Sequence, residues 1–198
     1  MQFNHDNMIG VRLAEELVNL EVEGRWTRDR VAGALTASLV RLDGLEQELG
    51  ELRDWTGRLR EVFAAAESDE RCARINELLD VGVHRVHLSA HDGLPPHLHF
   101  VRDDQRLTER VQAMTIGGLA IFAVEAQAGR MGICARPGCG RAFADTSRNG
   151  RRAYCSPLCG NSHAVQRYRA RTSTTVAGET GAAEVFPRGP LEAAPLHA

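Results

Sequence analysis

Cys134-Ala135-Arg136-Pro137-Gly138-Cys139-Gly140 and Cys155-Ser156-Pro157-Leu158-Cys159, with fifteen residues between Cys139 and Cys155, set four thiols in two close pairs. Paired thiols joined by a hairpin-sized stretch have the ligand spacing of a structural zinc site. Each pair occupies a tight turn that aims two sulfurs inward, and the chain between them brings the pairs together. Gly140 falls where a knuckle turn needs a residue without a Cβ. Ser156-Pro157 reads as an N-cap followed by proline at the first helical position. Cys159 then lies in the first turn of a helix expected to end near Thr172. A thiolate there gains from the helix dipole. The expected fold of this segment is treble-clef-like: a knuckle, a hairpin, then a helix that supplies the last ligand. Zn2+ held by Cys134, Cys139, Cys155 and Cys159 would provide most of its stability, about 10–16 kcal/mol by analogy with small zinc-finger peptides. Four Cys leave no open coordination position, so the metal would be structural and not catalytic. The competing reading is four metal-free core or surface cysteines.

Working outward, charge separates this segment from the rest. Residues 130–172 hold nine Arg and one acid, Asp145, a balance of +8. Residues 1–129 hold 14 Arg against 22 Asp and Glu, a balance of −8. The net charge of −2 conceals a basic module joined to an acidic body. On a helical wheel Asn161, Ala164, Val165 and Tyr168 share one side, expected to pack on the hairpin against Phe143 and Tyr154. Ser162, His163, Gln166, Arg167 and Ala170 occupy the other, flanked by Arg169 and Arg171. Arg148, Arg151 and Arg152 add charge from the loop before Cys155. Such a surface suits nucleic-acid phosphates, and His163, Gln166 and Arg167 are types that reach base edges in a major groove. The alternatives are a solvated basic helix, or one clamped against the acidic body.

Residues 8–22, with Ile9, Leu13, Leu17 and Leu20, carry helical periodicity. A second helix is expected from an N-cap at Thr27 through Val31, Leu35, Leu39 and Leu42, and a third from about Leu45 to Phe63. A short fourth follows over about 70–80. Val83 to Ala90, with Val86, Leu88 and Ala90 on one face, and His97 to Val101, with Leu98 and Phe100 on one face, alternate around Asp92-Gly93-Leu94-Pro95-Pro96, the pattern of a β-hairpin. Helical spacing returns at Leu107, Val111, Met114, Leu119 and Phe122, with Gly129 as C-cap. The expected architecture is α+β: a mostly helical N-terminal domain with a small β-hairpin over 1–129, a treble-clef-like zinc finger over 130–172, and a disordered tail rich in Gly, Pro, Thr and Ala over 173–198.

The 198-residue chain is 43% apolar, 25% charged and only 5% aromatic, so its core is expected to rest on Leu, Val and Ala. All 24 basic residues are Arg. The absence of Lys excludes a P-loop and Lys Schiff-base chemistry. No HExxH, GxSxG, GxGxxG or Cys/His nucleophile arrangement occurs, so no enzymatic activity is expected. The N-terminus lacks a basic segment followed by an apolar one, and Ile116 to Val124 is too short to span a bilayer. A cytoplasmic protein without membrane contact is expected, in which thiols stay reduced. Five of the eight His, namely His84, His87, His91, His97 and His99, fall within the hairpin region. They read as a second metal site or pH-sensitive pocket, or as the polar face of an amphipathic hairpin. No acidic or Cys partner at diagnostic spacing favours the former. Cys72, alone, is expected to be a small buried apolar residue.

Cys134-x4-Cys139-Gly140, Phe143-x-Asp145-x-Ser147-Arg148-Asn149, Arg151-Arg152-x-Tyr154-Cys155-Ser156, Cys159-Gly160-Asn161 and the ending Arg167-Tyr168-Arg169-Ala170-Arg171 resemble the CGNR zinc-finger family. The Leu-rich opening helix and the segment Ile75-Asn76-Glu77-Leu78-Leu79 resemble the ABATE domain that usually precedes that finger. The resemblance implies a stress-responsive, DNA-binding transcription regulator with an N-terminal sensing or dimerisation domain. DNA, a second copy of the chain and a small-molecule effector are the partners it implies. Ser162 stands where the family signature has Arg, which would weaken or alter a phosphate contact while leaving zinc ligation intact. Asp145, matching the family's Asp, is expected to pair with Arg148 or Arg152 and order the loop. The second functional reading is a protein-interaction adaptor whose finger stabilises a docking surface.

Overall fold

The computed structural model describes residues 5–89, 97–100, 105–126 and 129–179. Among them, α1 (His5–Val22), α2 (Arg28–Ala37), α3 (Leu45–Ala64), α4 (Ser68–Gly82) and α5 (Leu107–Glu125) build a helical body. β1 (His87–Ser89) pairs antiparallel with β2 (His97–His99), and β3 (Met131–Ile133) with β4 (Ala142–Ala144). α6 (Pro157–Glu179) follows. The compact unit that contains α1 extends through Gly160, so β3 and β4 belong to it; the residues from Asn161 form the second unit.

The core is aliphatic, as the low aromatic content implies: Leu13, Leu17, Leu52, Leu59, Val111, Ile116 and Leu119 are buried, with Trp55, Phe63 and Phe122 among them. α1 and α5 share the most extensive helix contact. They cross at Gly10, where a Cβ would run into the Met114 carbonyl. Several buried polar groups find partners inside the body, although among the described residues Thr108 Oγ1 and Arg110 Nε are buried without one. The Trp55 indole N–H donates to Thr115 Oγ1 at 3.0 Å. The buried Arg71 donates to the Val62 and Ala65 carbonyls, filling acceptors that the end of α3 leaves open. No described helix is long and apolar enough to cross a membrane.

α2 begins as expected, with Thr27 Oγ1 accepting from the Arg30 N–H at 3.4 Å. It ends at Ala37, short of Leu42. Val40 N–H donates to the Leu35 carbonyl at 2.9 Å and Leu39 N–H to that of Thr36 at 3.0 Å, a Schellman closure with Leu39 at φ +59°. The apolar periodicity runs on past a backbone stop that no residue type announces, since glycine is the usual occupant. α5 is capped by Ala126, not Gly129, whose N–H instead donates to the Ala126 carbonyl at 3.2 Å. α6 runs to Glu179, past the expected end near Thr172, so residues 173–179 are helical; the rest of the tail lies outside the described residues.

The first hairpin is shorter than its alternation suggests: Val83 to Val86 are outside β1. Its Leu88 and Leu98 are cross-strand partners, and both are exposed. The Phe100 ring lies against Gly117, where a Cβ would approach it to 2.5 Å, fixing the end of the hairpin on α5. Ala90, His91, the Asp92–Pro96 turn and Val101 lie outside the described residues.

Candidate metal centre

The β3–β4 pair carries the first half of the site. Its face toward the body is small: Ala142 and Ala144 are buried in the common core with Met131, and Ile133 packs at its edge. Alanine lets the β4 backbone approach α1 closely, and two polar side chains of that helix receive it. Asn19 Oδ1 accepts from Ala142 N–H at 2.8 Å while Asn19 Nδ2 donates to the Ala142 carbonyl at 3.2 Å. Glu15 Oε2 accepts from Ala144 N–H at 3.3 Å. Glu23, one turn beyond Asn19, accepts from the Arg141 guanidinium. Residues four apart on a helix rise about 6 Å, close to the roughly 6.6 Å between residues two apart on a strand. The Glu15–Asn19 step therefore matches the open edge of β4 from Ala144 to Ala142, and Glu23 takes the Arg141 side chain just before the strand.

The loop between β3 and β4 is the knuckle. Cys139 N–H donates to the Arg136 carbonyl at 3.1 Å, and Cys134 N–H to that of Arg141 at 2.8 Å. Gly138 and Gly140 take φ +76° and +68°, the left-handed conformation read for Gly140 from the sequence. Ala135 N–H donates to the Ala153 carbonyl at 2.8 Å, tying the knuckle to the chain just before Cys155. The second pair is set by the start of α6. Ser156 Oγ accepts from the Cys159 N–H at 3.2 Å, the capping bond its position predicts. The Tyr154 ring lies against Gly160, where a Cβ would stand 3.2 Å from it.

Together these turns bring the four sulfurs within 4.8 Å of one another. Cys139 Sγ is 3.8 Å from Cys155 Sγ and 3.7 Å from Cys159 Sγ, and Cys155 and Cys159 are 3.5 Å apart. A tetrahedron with Zn–S bonds of 2.3 Å has S···S edges of about 3.8 Å. A disulfide would need about 2.05 Å. The donor set is closed, soft and tetrahedral in spacing, and it fits zinc. Its electrostatics agree. Burial, reinforced by the adjoining sulfurs, pushes the Cys155 thiol up to about 12. The Ser156 hydroxyl, then the sulfur of Cys155, bring the Cys159 thiol down to about 7. Four crowded sulfurs cannot all carry charge unaided, and a bound cation would release the remaining protons.

Asp145 orders the loop, but through backbone groups and not through the guanidinium pairing expected. Its buried carboxylate accepts from Ser147 N–H at 2.9 Å and Arg152 N–H at 2.8 Å. Burial opposes its charge, but these bonds and the charge of Arg152 outweigh that and hold its pKa below the usual carboxylate value. Arg130 donates to the Ser147 carbonyl at 2.9 Å from the other side.

Of the basic residues proposed for nucleic acid, Arg148, Arg151 and Arg152 are exposed on this loop. Arg152 also serves the fold: it donates to the Cys155 carbonyl, and its guanidinium lies 5.7 Å from the centroid of the Phe143 ring. On α6, Gln166, Arg167, Arg169 and Arg171 are exposed and His163 is half-buried. Val165 and Tyr168, expected to pack on the hairpin, are exposed as well. The Glu15, Asn19, Glu23 series escaped sequence reading because polar residues on an amphipathic helix ordinarily face water; only the buried position of Asn19 within the apolar stripe marks it.

The His cluster is dispersed in part. His87 and His99 are register partners, their rings stacked with centroids 5.2 Å apart; His84 is exposed and His91 lies outside the described residues. Cys72 is exposed, not buried. Among the described residues the four clustered Cys are the one group of three or more ligand types close enough to share a metal.

No curated protein matches the chain. Residues 130–172, the stretch that contains the knuckle, the capped Cys159 and every ligand of the site, match the model of the CGNR zinc finger family.

Proposed function

We propose that this protein is a DNA-binding transcription regulator of the stress-responsive kind, in which a structural zinc centre holds the binding elements and the helical N-terminal body, ABATE-like in sequence, senses or dimerises. The role of the metal centre is structural and not catalytic, because a closed set of four thiolates offers no site for substrate. The observation that carries the reading is the charge of +8 over residues 130–172, combined with the exposure of Arg148 and Arg151 on the loop and of Arg167, Arg169 and Arg171 on α6. A polyanion is the partner such a density of guanidinium suits.

The test is fluorescence anisotropy of the zinc-loaded protein with duplex pools across a salt series. The logarithm of affinity is expected to fall linearly with that of salt, by about 0.9 per phosphate neutralised. Arg167→Ala and Arg151→Ala are each expected to shallow the slope by about 1. Affinity independent of salt would overturn the reading. The exposed apolar pair Val165 and Tyr168 favours the adaptor reading. That reading gains if Val165→Ser with Tyr168→Ser abolishes a protein complex while duplex binding is absent in the parent protein.

A further inference from the structure

α1 and α2 enclose an open groove of about 750 Å3 whose lining includes Ile9, Arg12 and Leu20 from one wall and Arg30, Gly33 and Ala34 from the other. That volume is in the range of small-molecule sites. At its rim stands Leu39, 83% exposed and at φ +59°. A leucine in the left-handed region is disfavoured, and a large apolar side chain in water gains nothing for the fold. Glycine would satisfy the same Schellman closure better on both counts. Local rules that fail together in one place mark contact sites more often than accidents.

The charges in the groove are unequally matched. Arg25 pairs with Glu23 at 2.9 Å and Asp29 with Arg28 at 3.2 Å. Among the described residues Arg12, Arg30 and Glu16 make no ion pair, which leaves two guanidiniums against one carboxylate, and the two Arg come from opposite walls. A Cβ at Gly33 would meet nothing within 4 Å, so the floor between them is open. We propose that this groove binds a small amphipathic anion, a carboxylate or sulfonate with an apolar body, whose charge is taken by Arg12 and Arg30 and whose apolar part lies along Leu20 and Ala34 under Leu39. Arg12 and Glu16 also line a second cavity, of about 320 Å3, that Arg141, Thr146 and Arg152 close from the metal-bearing segment. The ligand therefore touches the same α1 side chains that border the finger. This deepens the sensing role proposed above, and rests on it only for the consequence of binding, not for binding itself.

The experiment uses the full zinc-loaded chain without DNA, so its outcome is independent of nucleic-acid binding. 1-Anilinonaphthalene-8-sulfonate is titrated by fluorescence and displaced with octanoate or with octan-1-ol. Saturable binding is expected, displaced by octanoate but not by the neutral alcohol. Arg12→Gln with Arg30→Gln is expected to weaken it roughly tenfold, the scale of losing a charge-assisted contact. Leu39→Gly is expected to weaken it while raising Tm, which separates a lost contact from a damaged fold. Absence of saturable binding, equal displacement by octan-1-ol, or affinity unchanged in either variant would overturn the proposal.

Discussion

Asn19→Ala tests whether α1 holds the finger hairpin. Asn19 is 2% exposed and Ala142 fully buried, and both hydrogen-bonding groups of the Ala142 peptide end on the Asn19 amide. Truncation leaves one buried N–H and one buried C=O without partners. Each such group costs about 1–3 kcal/mol, and partial water entry recovers some of it. The expected loss is therefore about 2–4 kcal/mol, or about 5–15 °C in Tm for a chain of this size. The assay is urea unfolding of the zinc-loaded protein with amide exchange followed at Ala142. Asn19→Asp serves as the internal control. It keeps an acceptor for the N–H but sets a buried carboxylate oxygen against the Ala142 carbonyl, so its cost should exceed that of Asn19→Ala. A loss below about 0.5 kcal/mol for Asn19→Ala, the scatter of neutral surface changes, would refute the reasoning. So would equal losses for the two variants.

Gly10→Ala is expected to cost about 3 kcal/mol or more, the upper range of overpacking, because the new methyl meets a backbone carbonyl of α5 that no rotamer can move; thermal unfolding checks it. Cys159→Ser is expected to lower bound zinc from one equivalent by more than half in metal analysis, with the free thiols titrating together after chelation. Glu15→Gln concerns pH. Burial is the largest influence on Glu15 and raises its pKa, against the Ala144 N–H and the charges of Arg152 and Arg141, with Glu16 adding to the rise. A carboxyl whose folded pKa exceeds its unfolded one contributes stability that is complete below the unfolded value and lost as pH rises through the folded one. Stability of the parent is thus expected to decline with rising pH just above the ordinary carboxylate range relative to Glu15→Gln, whose curve should be flatter there; equal slopes in urea unfolding would count against it.

The metal centre was legible because its chemistry fixes spacing: thiols in pairs, glycine at Gly140, and Ser156-Pro157 before the last ligand favoured zinc over four metal-free cysteines, and all three features are present in the structure. α1 and α3 were legible for the simpler reason that aliphatic periodicity of that length admits one element. Where α2 ends was not, because Leu39 continues the apolar stripe while its backbone leaves the helix in a Schellman closure that normally calls for glycine. The carboxylate of Asp145 was rightly placed in the loop, yet it serves backbone N–H groups, a choice among partners that depends on how the chain turns between Ser147 and Arg152. The union of β4 with α1 joins residues 123 apart in the chain, and no local pattern could announce it.

That union also decides how the chelate is assembled. Cys134 and Cys139 ride on a strand pair fastened by α1 side chains, so two of the four sulfurs owe their place to the helical body and not to the ion. Loss of the cation is therefore expected to loosen Cys155 and Cys159 before Cys134 and Cys139. Injury to the N-terminal helix would then register as faster metal exchange at the far end of the chain, long before the body itself comes apart.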